Sequence, residues 1–264
     1  MVIELNRDLW IRRYREADES SPRVVCFPHA GGSAGYYVPF SRALTPEIEV
    51  LAVQYPGRQD RLREPAGHSI ADIADGTYAA LRRLGFIGGG SCAPGSAVPI
   101  ALFGHSMGAI LAFEVALRMQ RDGLTPPTRL FLSGRRGPSC LRQDRAVHTL
   151  GDDALLAELA ELGGTDMDIM EHVELQRLIL PTLRADYEAV DLYRYTPGPP
   201  VNCPITVLTG DGDEMVTTDE AAAWEPHGTG PFDLRVYTGG HFYLEDHQEE
   251  LIDLLRTELL KGHA

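Results

Sequence analysis

The chain has 264 residues, is 44% hydrophobic and carries a formal net charge of −14. That much apolar content can close one large core, while the acidic balance argues against a nucleic-acid partner, for which a basic face is needed. No apolar stretch approaches the roughly 18 residues of a membrane span, and Met1-Val2-Ile3-Glu4-Leu5-Asn6-Arg7 has charges where a secretory leader needs its apolar centre, so a cytoplasmic protein without a membrane partner is expected.

In chain order, Val24-Val25-Cys26-Phe27 reads as a short buried strand running into the glycine-bearing loop Pro28-His29-Ala30-Gly31-Gly32. A second strand candidate spans Ile48 to Val53, and a helix is expected over Ile70–Leu84. Residues 85–97 are rich in glycine and lack the Gly-Lys-Ser/Thr ending of a phosphate-binding P-loop; a surface loop is expected. Val98 to Phe103 is an unbroken apolar run of the kind that parallel strands buried on both faces require. Gly104-His105-Ser106-Met107-Gly108 follows at once, and Ile110, Leu111, Phe113, Ala116, Leu117 and Met119 recur behind it at helical spacing. A strand over Arg129–Ser133 comes next. From Ser139 to about Pro200 no strand pattern appears; helices are expected over Asp152–Leu162, with Asp152-Asp153 at its N-terminus and Gly163-Gly164 at its end, and over Glu171–Tyr193. Pro204 to Thr209 then leads into Gly210-Asp211-Gly212-Asp213-Glu214, Leu234 to Tyr237 into Gly239-Gly240-His241, and a helix over Leu244–Leu260 ends the pattern. The alternation makes an α/β protein, a mainly parallel sheet covered on both faces.

The strand–elbow–helix sequence around Ser106 is the Gly-x-Ser-x-Gly nucleophile elbow, a turn so tight that glycines flank the serine and leave its hydroxyl exposed at the sheet edge. A serine hydroxyl is a weak nucleophile at neutral pH and needs a base, an orienting carboxylate and an oxyanion site. His241, on a loop at a strand's C-terminal end, fits the base better than His227 in a Pro/Gly-rich stretch or His247 in the C-terminal helix. Asp211, Asp213 and Glu214 compete for the acid. The α/β-hydrolase arrangement places it in a Gly-x-x-Asp turn past the strand end and so favours Asp213, leaving Asp211 to cap a turn or the next helix. A calcium loop beginning at Asp211 fails because Met215 holds a ligand position. The order Ser106, Asp213, His241 is that of α/β-hydrolases. The oxyanion donors are then the backbone N–H of Met107 and, from the early loop, that of Ala30, with His29 bracing the loop.

These residues resemble the discrete type II thioesterases that accompany polyketide synthases and nonribosomal peptide synthetases. The resemblance rests on Pro28 to Ala34, Gln54-Tyr55-Pro56-Gly57-Arg58-Gln59-Asp60-Arg61, the elbow, Ser133-Gly134-Arg135-Arg136, Leu162-Gly163-Gly164-Thr165, Leu180-Pro181-Thr182-Leu183-Arg184-Ala185-Asp186-Tyr187 and Gly239-Gly240-His241-Phe242. It implies an α/β-hydrolase core over residues 1–138 and 201–264, a helical lid over 139–200, and hydrolysis of acyl groups from the phosphopantetheine thiol of carrier proteins, with no metal or cofactor. A carboxylesterase or lipase of the same fold is the alternative. Met167, Met170 and Leu183, with Ile169, Leu178 and Leu180, are candidates for an acyl pocket in the lid, against plain packing. Cys26, Cys92, Cys140 and Cys203 lack Cys-x-x-Cys spacing and are expected as free thiols. Two arginine clusters, Arg58, Arg61 and Arg63, and Arg135, Arg136, Arg142 and Arg145, are candidates for an acidic carrier or the pantetheine phosphate, against internal ion pairs. The charge of −14 sharpens that question, because carrier proteins are typically acidic.

Overall fold

A computed structural model describes residues 8–66, 68–88, 98–140, 142, 146–162 and 172–261. Seven strands form one sheet: β1 (Ile11–Arg12), β2 (Arg23–Phe27), β3 (Glu49–Val53), β4 (Ile100–His105), β5 (Leu130–Ser133), β6 (Ile205–Gly210) and β7 (Phe232–Tyr237). Their spatial order is β1-β3-β2-β4-β5-β6-β7. Every neighbouring pair is parallel except β1 with β3, where Ile11 faces Val53 in an antiparallel edge pairing.

The apolar strands lack polar alternation because both faces are covered. Val25, Phe27, Leu51, Leu102, Leu132 and Val207 join one core with helices α2 (Ile70–Arg83) and α3 (Met107–Arg121). Their sequence neighbours Val24, Cys26, Val50, Ala101, Phe103 and Leu208 point the other way, into a second core with α1 (Val38–Leu44) and the C-terminal helix. The period-2 split between the two cores is what assigns each strand residue to its layer.

The predicted strands and helices recur with shifted ends. β4 runs on to His105, so the sheet carries the chain to the elbow itself, and the C-terminal helix spans Gln248–Leu260, four residues later than its pattern, because 241–247 form turns. α2 begins on a reciprocal capping box between Ser69 and Asp72. The strand β1 escaped the sequence because two residues carry no periodicity, and α1 because its seven residues span less than the window a helical stripe needs. Cys26 and Cys203 are buried free thiols and Cys140 is a partly exposed one; Cys92 lies outside the described residues, as does much of the glycine-rich loop.

The segment between β5 and β6 holds α4 (Asp152–Leu162) and α5 (Val173–Leu192), then α6 (Thr218–Ala222) follows β6, and the C-terminal helix Gln248–Leu260 is α7. Val147, Leu155, Leu156, Leu180, Leu183 and Tyr187 form a third, small core of their own. α5 continues through Pro181, and the next residue anchors it: Thr182 Oγ1 donates to the Gly57 carbonyl at 2.6 Å. No described helix is long and apolar enough to cross a membrane.

Candidate active site

All the loops that matter leave the same edge of the sheet, the carboxyl ends of β2, β4, β5, β6 and β7, where open α/β sheets place their sites. Ser106 sits at φ 55°, ψ −115°, a conformation that few non-glycine residues adopt. A Cβ on Gly104 would lie 2.0 Å from the Gly108 carbonyl oxygen, and one on Gly108 would lie 2.0 Å from that of Phe27. Sterics therefore fix both glycines of the elbow, and β2, β4 and α3 meet backbone to backbone beneath the serine.

His241 Nδ1 lies 2.8 Å from Asp213 Oδ2, and Asp213 Oδ1 accepts the Met215 N–H at 2.8 Å. Both residues are buried. The carboxylate is thus held from two sides, with one oxygen on the imidazole. Asp211 does something different: its Oδ1 accepts the Gly239 N–H at 2.9 Å, tying the end of β6 to the loop that carries His241. Ser106, His241, His29, Ala30, Tyr187, Val190 and Phe242 line one chamber of about 200 Å³.

Two further imidazoles crowd this chamber. His29 packs edge-on against Tyr36 and Phe242, each with ring centroids 4.9 Å away, and supports Gly32, where a Cβ would meet its ring at 3.0 Å. Burial, and then the neighbouring His241 and Arg58, push its pKa down to about 3. His105 lies 4.9 Å from the His241 ring and is likewise held neutral by burial; its Nδ1 contacts Ser133 Oγ at 2.8 Å, which in turn meets Tyr243 OH at 2.6 Å. Gly134, at φ +58°, passes beneath both rings, where a Cβ would come within 2.5 Å of His105 and 3.3 Å of His241.

Consecutive loop N–H groups have separate partners. Gly31 donates to Asp186 Oδ2 at 2.7 Å and Gly32 to the His29 carbonyl at 3.0 Å, while Ala30 lines the chamber with Ser106. Asp186 comes from α5, and its two oxygens accept both terminal nitrogens of Arg58 at 2.7 Å each. Arg58 also donates to the carbonyls of Gly32 and Pro56. This buried pair ties the inserted helix to the early loop. Sequence reasoning quoted Arg58 and Asp186 only as parts of two motifs; 128 residues separate them.

Of the first arginine cluster, Arg58 is therefore internal, and so is Arg61, which pairs with Glu64, donates to the Gln54 carbonyl at 2.8 Å and lies over Trp10. Neither can meet a carrier. Leu183 packs in the small core and against Gly31, where a Cβ would lie 2.9 Å from its Cδ1; the chamber wall is made by Val147, Glu158, Tyr187 and Val190. Met167 and Met170, with Ile169, lie outside the described residues, as does Arg145. Among the described residues no group of three or more His, Cys, Asp or Glu is placed to hold a metal ion.

The model of the thioesterase domain family matches residues 22–259. Thioesterase PikA5 of Streptomyces venezuelae is 44% identical over 98% of this chain and 88% of its own length. Among solved structures, the type II thioesterase BorB from the borrelidin biosynthetic cluster superposes with a TM-score of 0.86 at 45% identity, covering 96% of this chain and 99% of its own. RedJ, the thioesterase of the prodiginine pathway in Streptomyces coelicolor, gives 0.83 at 37% identity over 92% and 93%. Sequence and architecture agree along nearly the whole length, and the chain belongs to the thioesterase family, as a thioester hydrolase of the α/β-hydrolase fold.

Proposed function

We propose that the protein hydrolyses acyl groups from the phosphopantetheine thiol of carrier proteins in the cytoplasm, clearing stalled or aberrant chains from a polyketide or nonribosomal peptide assembly line, with Ser106, His241 and Asp213 as its triad. The observation that carries the reading is the buried 2.8 Å contact of His241 Nδ1 with Asp213, in a chamber that also holds a serine at the tip of a strained elbow. Relatives that take part in the prodiginine and borrelidin pathways support the pathway class.

Asp213 accepts from Nδ1–H and so leaves Nε2 as the base. Ser106 Oγ attacks the thioester carbonyl as Nε2 takes its proton. Charge develops on the carbonyl oxygen, for which Met107 and Ala30 supply N–H donors; Gly31 and Gly32 have other acceptors, which is why Ala30 takes this role. Collapse expels the thiolate, protonated by the imidazolium, and leaves an acyl-serine. Water, deprotonated by His241, repeats the sequence and releases the acid. A thioester suits this site because its carbonyl has weak resonance stabilisation and the thiol leaves readily. Residues 139–200 act as the lid, α5 lying across the chamber with Tyr187 and Val190 on its wall.

The test compares kcat/KM for acyl carrier thioesters with that for oxygen esters of equal chain length. A strong preference for carrier thioesters is expected. Preference for the ester would reassign the protein to the carboxylesterases.

A further inference from the structure

β5 is apolar from Leu130 to Leu132 and ends on a serine with no exposure to solvent. Alanine would fill the same space with no polar atom to satisfy, so the hydroxyl points to a use beyond packing. Ser133 faces His105 across the pairing of β4 with β5, and it grips the elbow twice. Its carbonyl accepts the Ser106 N–H at 2.8 Å, and its Oγ contacts His105 Nδ1 at 2.8 Å. The same Oγ meets Tyr243 OH at 2.6 Å, on the loop that carries His241. Tyr243 is held in turn, stacked on Tyr237 with ring centroids 5.2 Å apart.

His105 carries a matching cost. Its ring is wholly buried, and Nε2 has no hydrogen-bond partner among the described residues. A buried polar atom left unpaired destabilises a fold, and phenylalanine would offer an aromatic face without that penalty. What imidazole has and phenylalanine lacks is Nδ1, the atom through which Ser133 fixes the plane of the ring. That ring lies against His241, with centroids 4.9 Å apart and planes tilted by 43°. Asp213 holds His241 at Nδ1, which is one corner of its ring. A planar ring held at one corner can still rock, and rocking would carry Nε2 away from the serine. His105, together with Phe242 packed edge-on at 5.4 Å, removes that freedom.

We infer that Ser133 and His105 are positioning residues of the reaction: Ser133 sets the His105 ring, and that ring sets the imidazole of His241 in line with Ser106. This rests on the triad reading above. Neither residue lines the chamber, so both act through His241 and not on the substrate. Burial keeps His105 uncharged, and it can therefore lie beside the imidazolium that forms at His241 without repelling it. Ser133 thus ties three things together through one side chain and one carbonyl: the amide of the nucleophile, the ring against the base, and the loop from which the base projects.

Ser133→Ala deletes one buried oxygen and leaves the backbone bond to Ser106 in place, which makes it the leading variant. On an acyl N-acetylcysteamine thioester, which needs no carrier, its kcat should fall about tenfold with KM within about twofold of the wild type, because a misplaced base costs rate and not binding. His105→Ala should lose about a hundredfold in kcat. Adding Ser133→Ala to it should cost nothing further, since the hydroxyl acts through the ring. The rate at which a fluorophosphonate labels Ser106 should fall in step with kcat, as that reaction also needs the base. Thermal denaturation shows which variants are folded, and if His105→Ala is not, kcat, KM and labelling of Ser133→Ala decide alone. A folded Ser133→Ala with kcat within about twofold of the wild type, a rise in KM in place of the fall in kcat, or losses that multiply in the pair would each overturn the inference. Ser106→Ala run beside them keeps the two readings apart: labelling that survived there would overturn the triad, and the positioning with it.

Discussion

Asp186→Asn tests whether the inserted helix holds the Ala30-Gly31-Gly32 loop, the proposed source of an oxyanion donor. The substitution keeps the shape but removes a charge that accepts both Arg58 terminal nitrogens and the Gly31 N–H, all at 2.7 Å. Asp186 is 1% exposed and Arg58 6%, so solvent cannot replace the lost partner. Breaking a buried pair from one side costs about 3–5 kcal/mol, and at about 2 °C per kcal/mol for a chain of this size Tm should fall by about 6–10 °C. Catalysis should fall as well, because Gly31 adjoins Ala30; the bound is about 10²–10³-fold in kcat, the loss that follows removal of a whole oxyanion donor. The double variant Arg58→Met, Asp186→Leu separates the two effects. With no stranded charge it should regain much of the Tm, yet Gly31 would still lack its acceptor and kcat should stay low. Thermal denaturation and steady-state kinetics on one acyl thioester suffice. If Asp186→Asn leaves Tm within about 2 °C and kcat within about twofold, the pair is packing alone and the loop is held by something else.

Ser106→Ala should abolish fluorophosphonate labelling and lower kcat by about 10⁴-fold or more; labelling that persists would move the nucleophile. Asp213→Asn should leave the fold intact and cost about 10⁴-fold in kcat through the wrong imidazole tautomer, whereas Asp211→Asn, at a carboxylate that accepts the Gly239 N–H, should cost far less; the reverse ranking would transfer the acid's role. The pKa of His29 is lowered in the folded protein, so between its unfolded value near 6.5 and about 3 the unfolded chain binds a proton that the folded one refuses. Stability is complete above that window and is lost as pH falls through it, by about 2 kcal/mol between about pH 7 and about pH 5 for this group alone. His105 acts in the same direction. Urea unfolding of wild type and His29→Phe at those two pH values checks this, an equally steep acid limb in the variant being the adverse result.

The elbow was legible because its chemistry is local: strand, turn and helix occupy consecutive residues and two glycines are forced by contacts within them. The meeting of Asp213 with His241 was legible because each follows its own strand, so the sheet's order does the assembling. Distant pairing was not. Nothing near Arg58 marks its partner, and only the docking of α5 brings Asp186 to it; the sequence left open whether the arginine clusters face outward or inward, and the structure puts Arg58 and Arg61 of the first and Arg142 of the second in ion pairs. Leu183 illustrates the same limit. Its helical stripe predicts an apolar contact, and whether that contact is acyl chain or protein depends on the helix's rotation, which places Leu183 against Gly31 and turns Tyr187 and Val190 toward the chamber.

Ser106 holds a backbone shape, φ 55° and ψ −115°, that belongs to the first central position of a type II′ turn and favours glycine. Such a residue costs on the order of 1–3 kcal/mol against a relaxed one. The proposed nucleophile is therefore a burden on the fold that it serves. In a laboratory evolution screen that rewarded soluble expression and ignored hydrolysis, glycine at 106 would be among the first gains, and a gene copy released from selection for activity would drift the same way. A homologue with glycine at this position would record the loss of the reaction by a route that strengthens the protein.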